Sequence, residues 1–398
     1  MDHLSHRHLF FSHVAQTSPF PLAIEIEKAE GSWIYSPDGT RYLDMISGIS
    51  VSNVGHRHPK VLAAIEQQLG KYLHTMVYGE VIQSPQVLLA EKLISLLGNS
   101  FDQVYFVNSG SEAVEGALKL AKRFTGRRKI MAFENSYHGS THGALSVTGS
   151  DALKQGYGPF LPEVEFIPYN DVKALDKITD AFACVIAEPV QGEAGVVIPD
   201  QGFLAALKEK CNQTGALLIL DEIQTGMGRT GKMFCHQHSS VVPDILLLAK
   251  GLGGGMPIGA FISRKEIMVA LSHDPILGHI TTFGGHPVSC ASALACIDVI
   301  QNEALVEGVA VRSLLIQKKL KHSGVNFRGT GLLFAIDLGT EEKAQAALRR
   351  CLQRGDAGIA LLTDFFLHAA HCLRIAPPLN IPMEDLEWGL DRITESLS

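Results

Sequence analysis

The chain has 398 residues, of which 46% are hydrophobic and 19% charged, and its 34 Lys and Arg stand against 41 Asp and Glu. A formal net charge of −7 does not suit a nucleic-acid-binding protein. This hydrophobic content excludes wholesale disorder, because a chain of this length can bury roughly 75% of its unfolded surface. The apolar runs are shorter than the roughly 20 residues of a membrane-spanning helix, and no secretory signal is recognised. The seven scattered cysteines fit reduced thiols, so we expect a cytoplasmic protein.

Short strand and turn signals occupy the N-terminal part of the chain, residues 1–80. TrpIleTyr followed by SerProAspGly at 33–39 predicts a small hairpin, because these turn residues favour a chain reversal. A helix is predicted next over 85–97, with Ser84 as its N-cap, since apolar residues repeat at helical spacing until Gly98. We expect residues 1–80 to pack with the C-terminal part of the chain.

Seven apolar, β-rich runs alternate with helix signals in the central region. Near-continuous apolar strands are buried on both faces, which indicates a mostly parallel sheet covered by helices. Two of the helices are predicted over 112–123 and 202–211. The predicted strands are 104–107, 129–133, 164–169, 184–187, 217–220, 244–248 and 259–263. The pattern therefore predicts a large α/β domain at 81–303 with a seven-stranded sheet, followed by a smaller α+β domain at 304–398.

Polar side chains stand at the carboxyl ends of several predicted strands, where open α/β sheets collect ligands. Residues 108–113, AsnSerGlySerGluAla, follow the first strand, and small residues ahead of a helix can bind a phosphate through backbone N–H groups. The same segment also fits a capping box formed by Ser109 and Glu112. Glu188 and Asp221 end two further strands, where a carboxylate can be catalytic or can simply cap the next turn.

Lys250 closes the apolar strand IleLeuLeuLeuAla and precedes GlyLeuGlyGlyGly. An unpaired buried ammonium is costly, so a lysine in this position should have a lowered pKa and be a good amine nucleophile. A phosphate cradle, a desolvated lysine and a buried acid that keeps a pyridine nitrogen protonated are together the parts needed to bind pyridoxal phosphate. We therefore predict pyridoxal 5′-phosphate (PLP) as the cofactor.

The order and spacing of these motifs resemble the class III (ω-amino acid) aminotransferases, most closely the ornithine and acetylornithine aminotransferases. The resemblance covers nearly the whole chain, from SerProPheProLeu at 18–22 and GlyHisArgHisPro at 55–59 to ArgIleAlaProProLeu at 374–379. It implies the PLP-dependent transferase fold type I, and a ping-pong transfer of an amino group from an amino acid or ω-amine to an oxo acid. It also implies an obligate homodimer.

The resemblance assigns roles to single residues on matching motifs. Lys250 and Asp221 would be the catalytic residues: Lys250 would form the Schiff base, and Asp221 would pair with the pyridine nitrogen. The other implied cofactor-binding residues are Gly110 and Ser111 at the phosphate, Tyr137 stacked on the ring, His138 of the same TyrHisGly motif, Gln224 at the ring hydroxyl, Glu188 behind the site, and Thr282 at the phosphate of the neighbouring subunit.

The substrate-binding residues match the resemblance less evenly. Arg374 matches the arginine that binds a substrate carboxylate, and Glu193 matches the glutamate that pairs with it and masks it; a purely structural ion pair would use the same two residues. Ser140 stands where ornithine-type members have an arginine for the distal carboxylate of glutamate or 2-oxoglutarate. We therefore expect 2-oxoglutarate to be a poor acceptor and pyruvate or another small oxo acid to serve, while the unusual segment 362–368 leaves the donor open.

Other functions fit parts of the sequence. Residues 226–231 match GxGxxG, typical of NAD-dependent dehydrogenases, but four residues separate them from Asp221 and twelve from the next predicted strand, which leaves no room for a helical crossover. A class III racemase would use the same site residues without releasing an oxo acid. A silent scaffold protein would not need both Asp221 and Lys250. The absence of HExxH and CxxC spacings predicts no metal site.

Overall fold

The structure, a computed structural model, describes residues 5–355 and 357–397. Its helices in chain order, α1 to α13, are His6–His13, Ser47–Ser50, Pro59–Leu69, Ser84–Leu97, Gly110–Thr125, His142–Val147, Asp151–Lys154, Phe203–Thr214, Lys265–Met268, Pro287–Asn302, Leu305–Ser323, Glu341–Leu352 and Met383–Ser396. Its strands, β1 to β15, are Lys28–Glu30, Trp33–Tyr35, Arg41–Asp44, Gln103–Val107, Lys129–Phe133, Val164–Ile167, Phe182–Ala187, Leu217–Asp221, Ile245–Leu248, Gly259–Ser263, Asn326–Thr330, Leu333–Asp337, Ile359–Leu362, Asp364–Phe366 and Ala369–Ile375.

The central sheet has seven strands in the order β4-β10-β9-β8-β7-β5-β6. Neighbouring strands are parallel except β10, which runs antiparallel to both β4 and β9. The predicted mostly parallel, seven-stranded sheet is therefore confirmed, and each predicted strand lies within two residues of its observed bounds. Every residue of β7, β8, β9 and β10 is buried, as expected for strands covered on both faces.

Helix α4 begins one residue earlier than predicted, and helix α5 begins two residues earlier than predicted. Helix α4 includes Ser84, and Gln83 is the N-cap, so Ser84 was wrongly placed outside the helix. Helix α5 begins at Gly110, where the Ser109 hydroxyl accepts a hydrogen bond from the Glu112 N–H at 3.2 Å. The Glu112 carboxylate instead accepts from the Asn108 N–H at 2.6 Å, so the predicted capping box forms in part.

Close packing fixes α5 on the central sheet and so fixes its N-terminus beside the strand ends. A Cβ on Gly116, in the middle of α5, would lie 2.3 Å from the ring of Phe261 on β10. Only glycine therefore lets the helix approach β10 this closely without displacing that ring. The first turn of α5 is held in register with the ends of β4 and β9 as a result.

Two smaller sheets flank the central one. Strands β1, β2 and β3 form an antiparallel meander, which confirms the hairpin predicted near 33–39, and β13 adds to β3 in parallel. The other sheet is antiparallel, in the order β11-β12-β15-β14, and α11 to α13 accompany it in the C-terminal region. Among the described residues, the helices are all too short or too polar to cross a membrane, and the seven cysteines are buried free thiols.

Candidate active site

A cavity of about 440 Å³ lies where β4, β7, β8 and β9 end. It is the place where polar groups after parallel strands converge. Nine of the predicted site residues line this cavity: Gly110, Ser111, Tyr137, His138, Glu188, Glu193, Asp221, Gln224 and Lys250. The structure therefore brings together nearly all of the residues that the sequence proposed for binding one cofactor.

Lys250 lies deep in this cavity, with part of its surface facing the open space. Burial lowers the pKa of its amine, and the nearby Arg374 adds to this, while the carboxylates of Glu193 and Asp221 oppose it. The backbone of Lys250 has φ +44°, in the left-handed region that few non-glycine residues adopt. Such a strained position at a strand end is typical of a functional residue held by its surroundings.

His138 and Asp221 form a buried pair at the bottom of the cavity. His138 Nδ1 lies 2.7 Å from Asp221 Oδ2, and both side chains are almost completely buried. Glu188 lies close to both; burial raises its pKa to about 7, Asp221 adds to the rise and His138 opposes it. The Glu188 carboxyl also accepts hydrogen bonds from the N–H groups of Tyr137 and Gly192, each at 3.0 Å. The pair and Glu188 thus form one connected polar base under the cavity.

The N-terminus of α5 faces the cavity on another side. The first N–H groups of a helix have no partner within it, so the backbone of Gly110 and Ser111 can bind an anion there. Gly139 has φ +126°, and a Cβ on it would lie 2.1 Å from Ser111 Oγ. Glycine is therefore required for the 137–140 loop to close against this helix end, where the Ser140 N–H donates to Ser111 Oγ at 3.3 Å.

Arg374 and Glu193 form a buried ion pair next to Lys250. Arg374 Nη2 donates to Glu193 Oε1 at 3.0 Å and Oε2 at 2.9 Å. Burial alone would raise the pKa of Glu193, but the Arg374 charge and hydrogen bonds outweigh it, so the pKa is lowered and the carboxylate is ionised. Arg374 is 1% exposed, and its Nε and Nη1 find no partner among the described residues. Two nitrogen donors of this guanidinium are thus buried without a hydrogen-bond partner in the described chain, which is uncommon in folded proteins.

The segment 362–368, which the sequence marked as unusual, contributes a β-hairpin to this ion pair. Phe366 pairs with Ala369 across the turn between β14 and β15, so Leu367 and His368 are the two turn residues. The Leu367 N–H donates to Glu193 Oε2 at 3.2 Å. Sequence reasoning missed this contact, and no signal could have revealed it, because every residue type except proline has a backbone N–H.

Three predicted residues do not line the cavity of this single chain: Arg374, which is buried behind Glu193, and the exposed Ser140 and Thr282. Ser140 is exposed at its mouth, with its hydroxyl 3.3 Å from that of Tyr137. Thr282 is exposed on the surface segment 276–283, where its carbonyl oxygen accepts from His74 Nε2 at 3.0 Å. Within the described part of the chain, Thr282 therefore does not line the cavity of its own subunit.

The GxGxxG segment 226–231 has a structural role here. It runs through consecutive turns rather than opening a helix, and Arg229 within it is fully buried. The Arg229 guanidinium donates to the carbonyls of Leu332 and Pro377 and to the side chain of Asn53. The segment thus connects the turns after β8 to residues of the N-terminal and C-terminal parts of the chain. It does not have the strand-turn-helix form of a dinucleotide site.

The groups around the cavity fit PLP in kind and position. They supply an anion site at a helix N-terminus, an amine of lowered pKa, a buried carboxylate for a ring nitrogen, and an aromatic side chain at Tyr137. A family model described as "Aminotransferase class-III" matches residues 14–397, and the chain belongs to this family.

Comparison with individual proteins gives the same result. The chain is 40% identical to the acetylornithine aminotransferase of Methanopyrus kandleri, over 97% of this chain and 96% of that protein. It is 38% identical to the putrescine aminotransferase of Pectobacterium atrosepticum, over 91% of this chain and 80% of that protein. The ornithine aminotransferase of Toxoplasma gondii, whose structure is described with partial occupancy of PLP, matches with a TM-score of 0.90 and 31% identity, over 98% of this chain and 92% of that one.

The chain is therefore a PLP-dependent transaminase that acts on small amino and oxo acids. The similar proteins are transferases by name, so the racemase alternative is not favoured, and the dehydrogenase alternative has neither a relative among them nor the required turn.

Proposed function

We propose that Lys250 and Asp221 are the catalytic residues and that the cavity they share is the transamination site. The observation that supports this best is the placement of the Lys250 amine and the His138–Asp221 pair in one cavity. PLP, when bound, supplies an aldehyde that reacts with amines and a ring that takes up electrons. A lysine whose pKa is lowered by burial is unprotonated more often than an exposed lysine, so it reacts more readily as an amine and can then take and return a proton at the substrate carbon.

The remaining cofactor contacts follow from what surrounds the cavity. The Gly110 and Ser111 N–H groups and the Ser111 hydroxyl would bind the phosphate, and Tyr137 would lie against the ring. Asp221, oriented by His138, would face the pyridine nitrogen, with Glu188 supporting it from behind and Gln224 at the ring hydroxyl. These roles agree with the chemistry of the cofactor, because a carboxylate beside the ring nitrogen favours its protonated form.

Arg374 would bind the carboxylate of an amino or oxo acid, and Glu193 would mask it for substrates that end in an amine. Nε and Nη1 of Arg374 are buried donors without partners among the described residues, which supports a ligand there. An uncompensated guanidinium would be costly in a buried site, so Glu193 neutralises it when no carboxylate is bound. One pocket can then accept both amine-ended donors and carboxylate-ended acceptors in turn.

The far end of the substrate would meet Ser140 rather than an arginine. Its neutral hydroxyl cannot make a charged, two-pronged contact with a second carboxylate. We therefore infer that pyruvate or another small monocarboxylic oxo acid is a better acceptor than 2-oxoglutarate. The donor would be an amino acid or ω-amine, within the range of the acetylornithine, ornithine and putrescine enzymes that the chain resembles.

A homodimer would complete the site with Thr282 of the partner subunit. Segments 76–87 and 276–283, the second of which contains Thr282, are in contact through the Tyr78 N–H and the Thr281 carbonyl oxygen. Both expose large apolar side chains in the single chain: Met76, Val81, Ile82, Val87, Ile276, Leu277, Ile280 and Phe283, with Ile82 at 92%. Such an exposed apolar area is typical of a subunit interface.

We also infer that the enzyme is cytoplasmic. Its chain would divide into an N-terminal segment at 1–80, a large domain at 81–303 and a small domain at 304–398. The pairing of β3 with β13 supports packing of the N-terminal segment on the small domain.

The assignment of Lys250 is tested by Lys250→Ala, with Lys154→Ala as the control. Lys154 also has a pKa lowered by burial, but it lies over the Phe166 ring and does not line the cavity. The Lys250 variant should lose the visible absorbance of bound PLP and all transamination, and Lys154→Ala should keep both. Equal absorbance and activity in the two variants would rule out Lys250 as the catalytic amine.

The acceptor is tested by following oxo-acid turnover with pyruvate and 2-oxoglutarate, using ornithine, acetylornithine and 1,4-diaminobutane as donors. We expect a higher kcat/KM for pyruvate than for 2-oxoglutarate with every reactive donor. A preference for 2-oxoglutarate would contradict the role given to Ser140.

A further inference from the structure

The Glu193 carboxylate accepts hydrogen bonds from three different groups. Arg374 Nη2 contacts both oxygens, Gln224 Nε2 donates to Oε1 at 3.3 Å, and the Leu367 N–H donates to Oε2 at 3.2 Å. We propose that the backbone N–H of Leu367, in the β14–β15 turn, holds the Glu193 carboxylate whenever a substrate carboxylate replaces it on Arg374. This inference rests on the proposed function of Arg374 and adds the group that makes the exchange possible.

A substrate carboxylate can bind Arg374 in two-pronged form only if Glu193 leaves. A guanidinium offers two forked edges, Nη1 with Nη2 and Nε with Nη2, and Nη2 belongs to both. Each edge uses one of the two Nη2 hydrogens. In this structure, Nη2 donates to the Glu193 carboxylate and to the Phe365 carbonyl oxygen, so neither edge is free, while Nε and Nη1 have no partner among the described residues. The free donors are therefore adjacent to the one that Glu193 occupies.

Once displaced, Glu193 would be a buried anion without its guanidinium. The cost of such a charge is large unless other donors satisfy it. Of the present contacts in the described chain, the Leu367 N–H and the longer one from Gln224 would remain. Because both already exist in the paired state, the carboxylate can move off Nη2 without first finding a new site.

The turn is held firmly enough to act as a fixed donor. The His368 N–H donates to the Glu193 carbonyl oxygen at 3.0 Å, so the turn and the glutamate backbone stay together. Arg374 Nη2 donates to the Phe365 carbonyl oxygen at 3.1 Å, and the Phe366 ring lies 4.2 Å from the guanidinium carbon. The Leu367 residue itself is 48% exposed, so its contribution to the pocket is the backbone N–H.

The experiment removes this N–H with Leu367→Pro and keeps it with Leu367→Ala. Leu367 is the first of two turn residues, and neither of them has a positive φ. Because the residue before Leu367 is in a strand, proline can be tolerated at this position. The comparison of the two variants separates the loss of the N–H from the loss of the side chain. A melting curve of each holoenzyme shows whether the hairpin has survived.

The readouts are KM for pyruvate, the inhibition constant of pentanoate, which has a carboxylate but no amine, and KM for 1,4-diaminobutane, which has no carboxylate. We expect Leu367→Pro to raise the first two by about tenfold relative to Leu367→Ala, and to change the diamine KM much less. Equal values in the proline and alanine variants would overturn the inference.

Glu193→Ala gives the second test, because it removes the anion that the N–H would hold. In the Glu193→Ala background, Leu367→Pro should bind pentanoate as tightly as Leu367→Ala does. A tenfold difference that persists would mean that proline damages the pocket in another way, and it would refute the inference. Arg374→Ala separates this from the proposed function. If Arg374→Ala leaves pentanoate binding unchanged, the carboxylate role of Arg374 fails; if it weakens binding while Leu367→Pro does not, only the role of Leu367 fails.

Discussion

His138 Nδ1 lies 2.7 Å from Asp221 Oδ2, although 83 positions separate the two residues in the chain. Asp221 ends β8, and His138 reaches it from the loop that follows β5, so the pair spans strands that are not neighbours in the sheet. A histidine N–H donated to the carboxylate would fix the orientation of the carboxylate. In the proposed site, this orientation would aim Asp221 at the pyridine nitrogen of the cofactor.

Replacing His138 by leucine should weaken PLP binding and lower kcat, each by about tenfold or more, because a hydrogen bond to a charged group is lost in a buried site. His138→Asn is the matched control, since its amide can donate from nearly the position of Nδ1. Fluorescence titration of the apoprotein with PLP measures the affinity, and initial rates measure kcat. If the leucine and asparagine variants behave alike, hydrogen bonding to Asp221 is not what His138 contributes.

The lowered pKa of Lys250 predicts how the stability of the apoprotein depends on pH. The unfolded chain keeps the lysine proton up to pH 10.5, whereas the folded chain releases it at a lower pH, so a rise in pH between these two values favours folding. Below that interval, a charged amine in the cavity is a cost that Lys250→Met removes. We therefore expect the methionine variant to have the higher Tm at neutral pH, and this advantage to shrink as pH approaches 10.5. A difference that grows with pH would have the wrong sign.

A positive charge at position 140 should restore binding of a second carboxylate. Ser140 is exposed at the mouth of the cavity, so a longer side chain has room there. We expect Ser140→Arg to raise kcat/KM for 2-oxoglutarate by about tenfold or more, with a much smaller change for pyruvate. Ser140→Met, of similar length but uncharged, is the control. An equal gain from methionine would show that bulk rather than charge is responsible.

Disruption of the proposed dimer should weaken cofactor binding. Ile82 is 92% exposed in the single chain and belongs to the exposed apolar segment 76–87, so Ile82→Asp would place a charge in the proposed interface. We expect a monomer by light scattering and a Kd for PLP higher by about tenfold, because the partner's phosphate contact is lost. Val311→Asp, at a 60% exposed position on α11, is the control. A monomeric wild type with full affinity would contradict the proposal.

Arg229 should be important for stability rather than for chemistry. Burial lowers its pKa to about 9, and its guanidinium satisfies two buried carbonyl groups and the Asn53 side chain. Arg229→Met would leave these acceptors unpaired, so we expect Tm to fall by roughly 5 °C or more. Substrate KM values at low temperature should stay close to those of the wild type. A larger effect on KM than on Tm would point to a role in the site.

The central sheet and most of the cavity residues could be predicted from the sequence because their signals are local. A strand buried on both faces must be apolar along its length, and a polar residue at its carboxyl end must therefore face the edge where ligands bind. Asp221 and Lys250 stand out for this reason. The bounds of α4 and α5 were less well predicted, because an N-cap differs from the first helical residue only in its backbone angles.

The sequence by itself determined which chemical groups the protein has at its strand ends, since these depend on neighbours along the chain. Only the tertiary structure decided how those groups are paired: His138 with Asp221, and Leu367 with Glu193 across 174 positions. The physical reason is that such pairs depend on how loops from separate strands meet. A backbone N–H, moreover, is the same in almost every residue, so its use becomes visible only when the chain has folded around it.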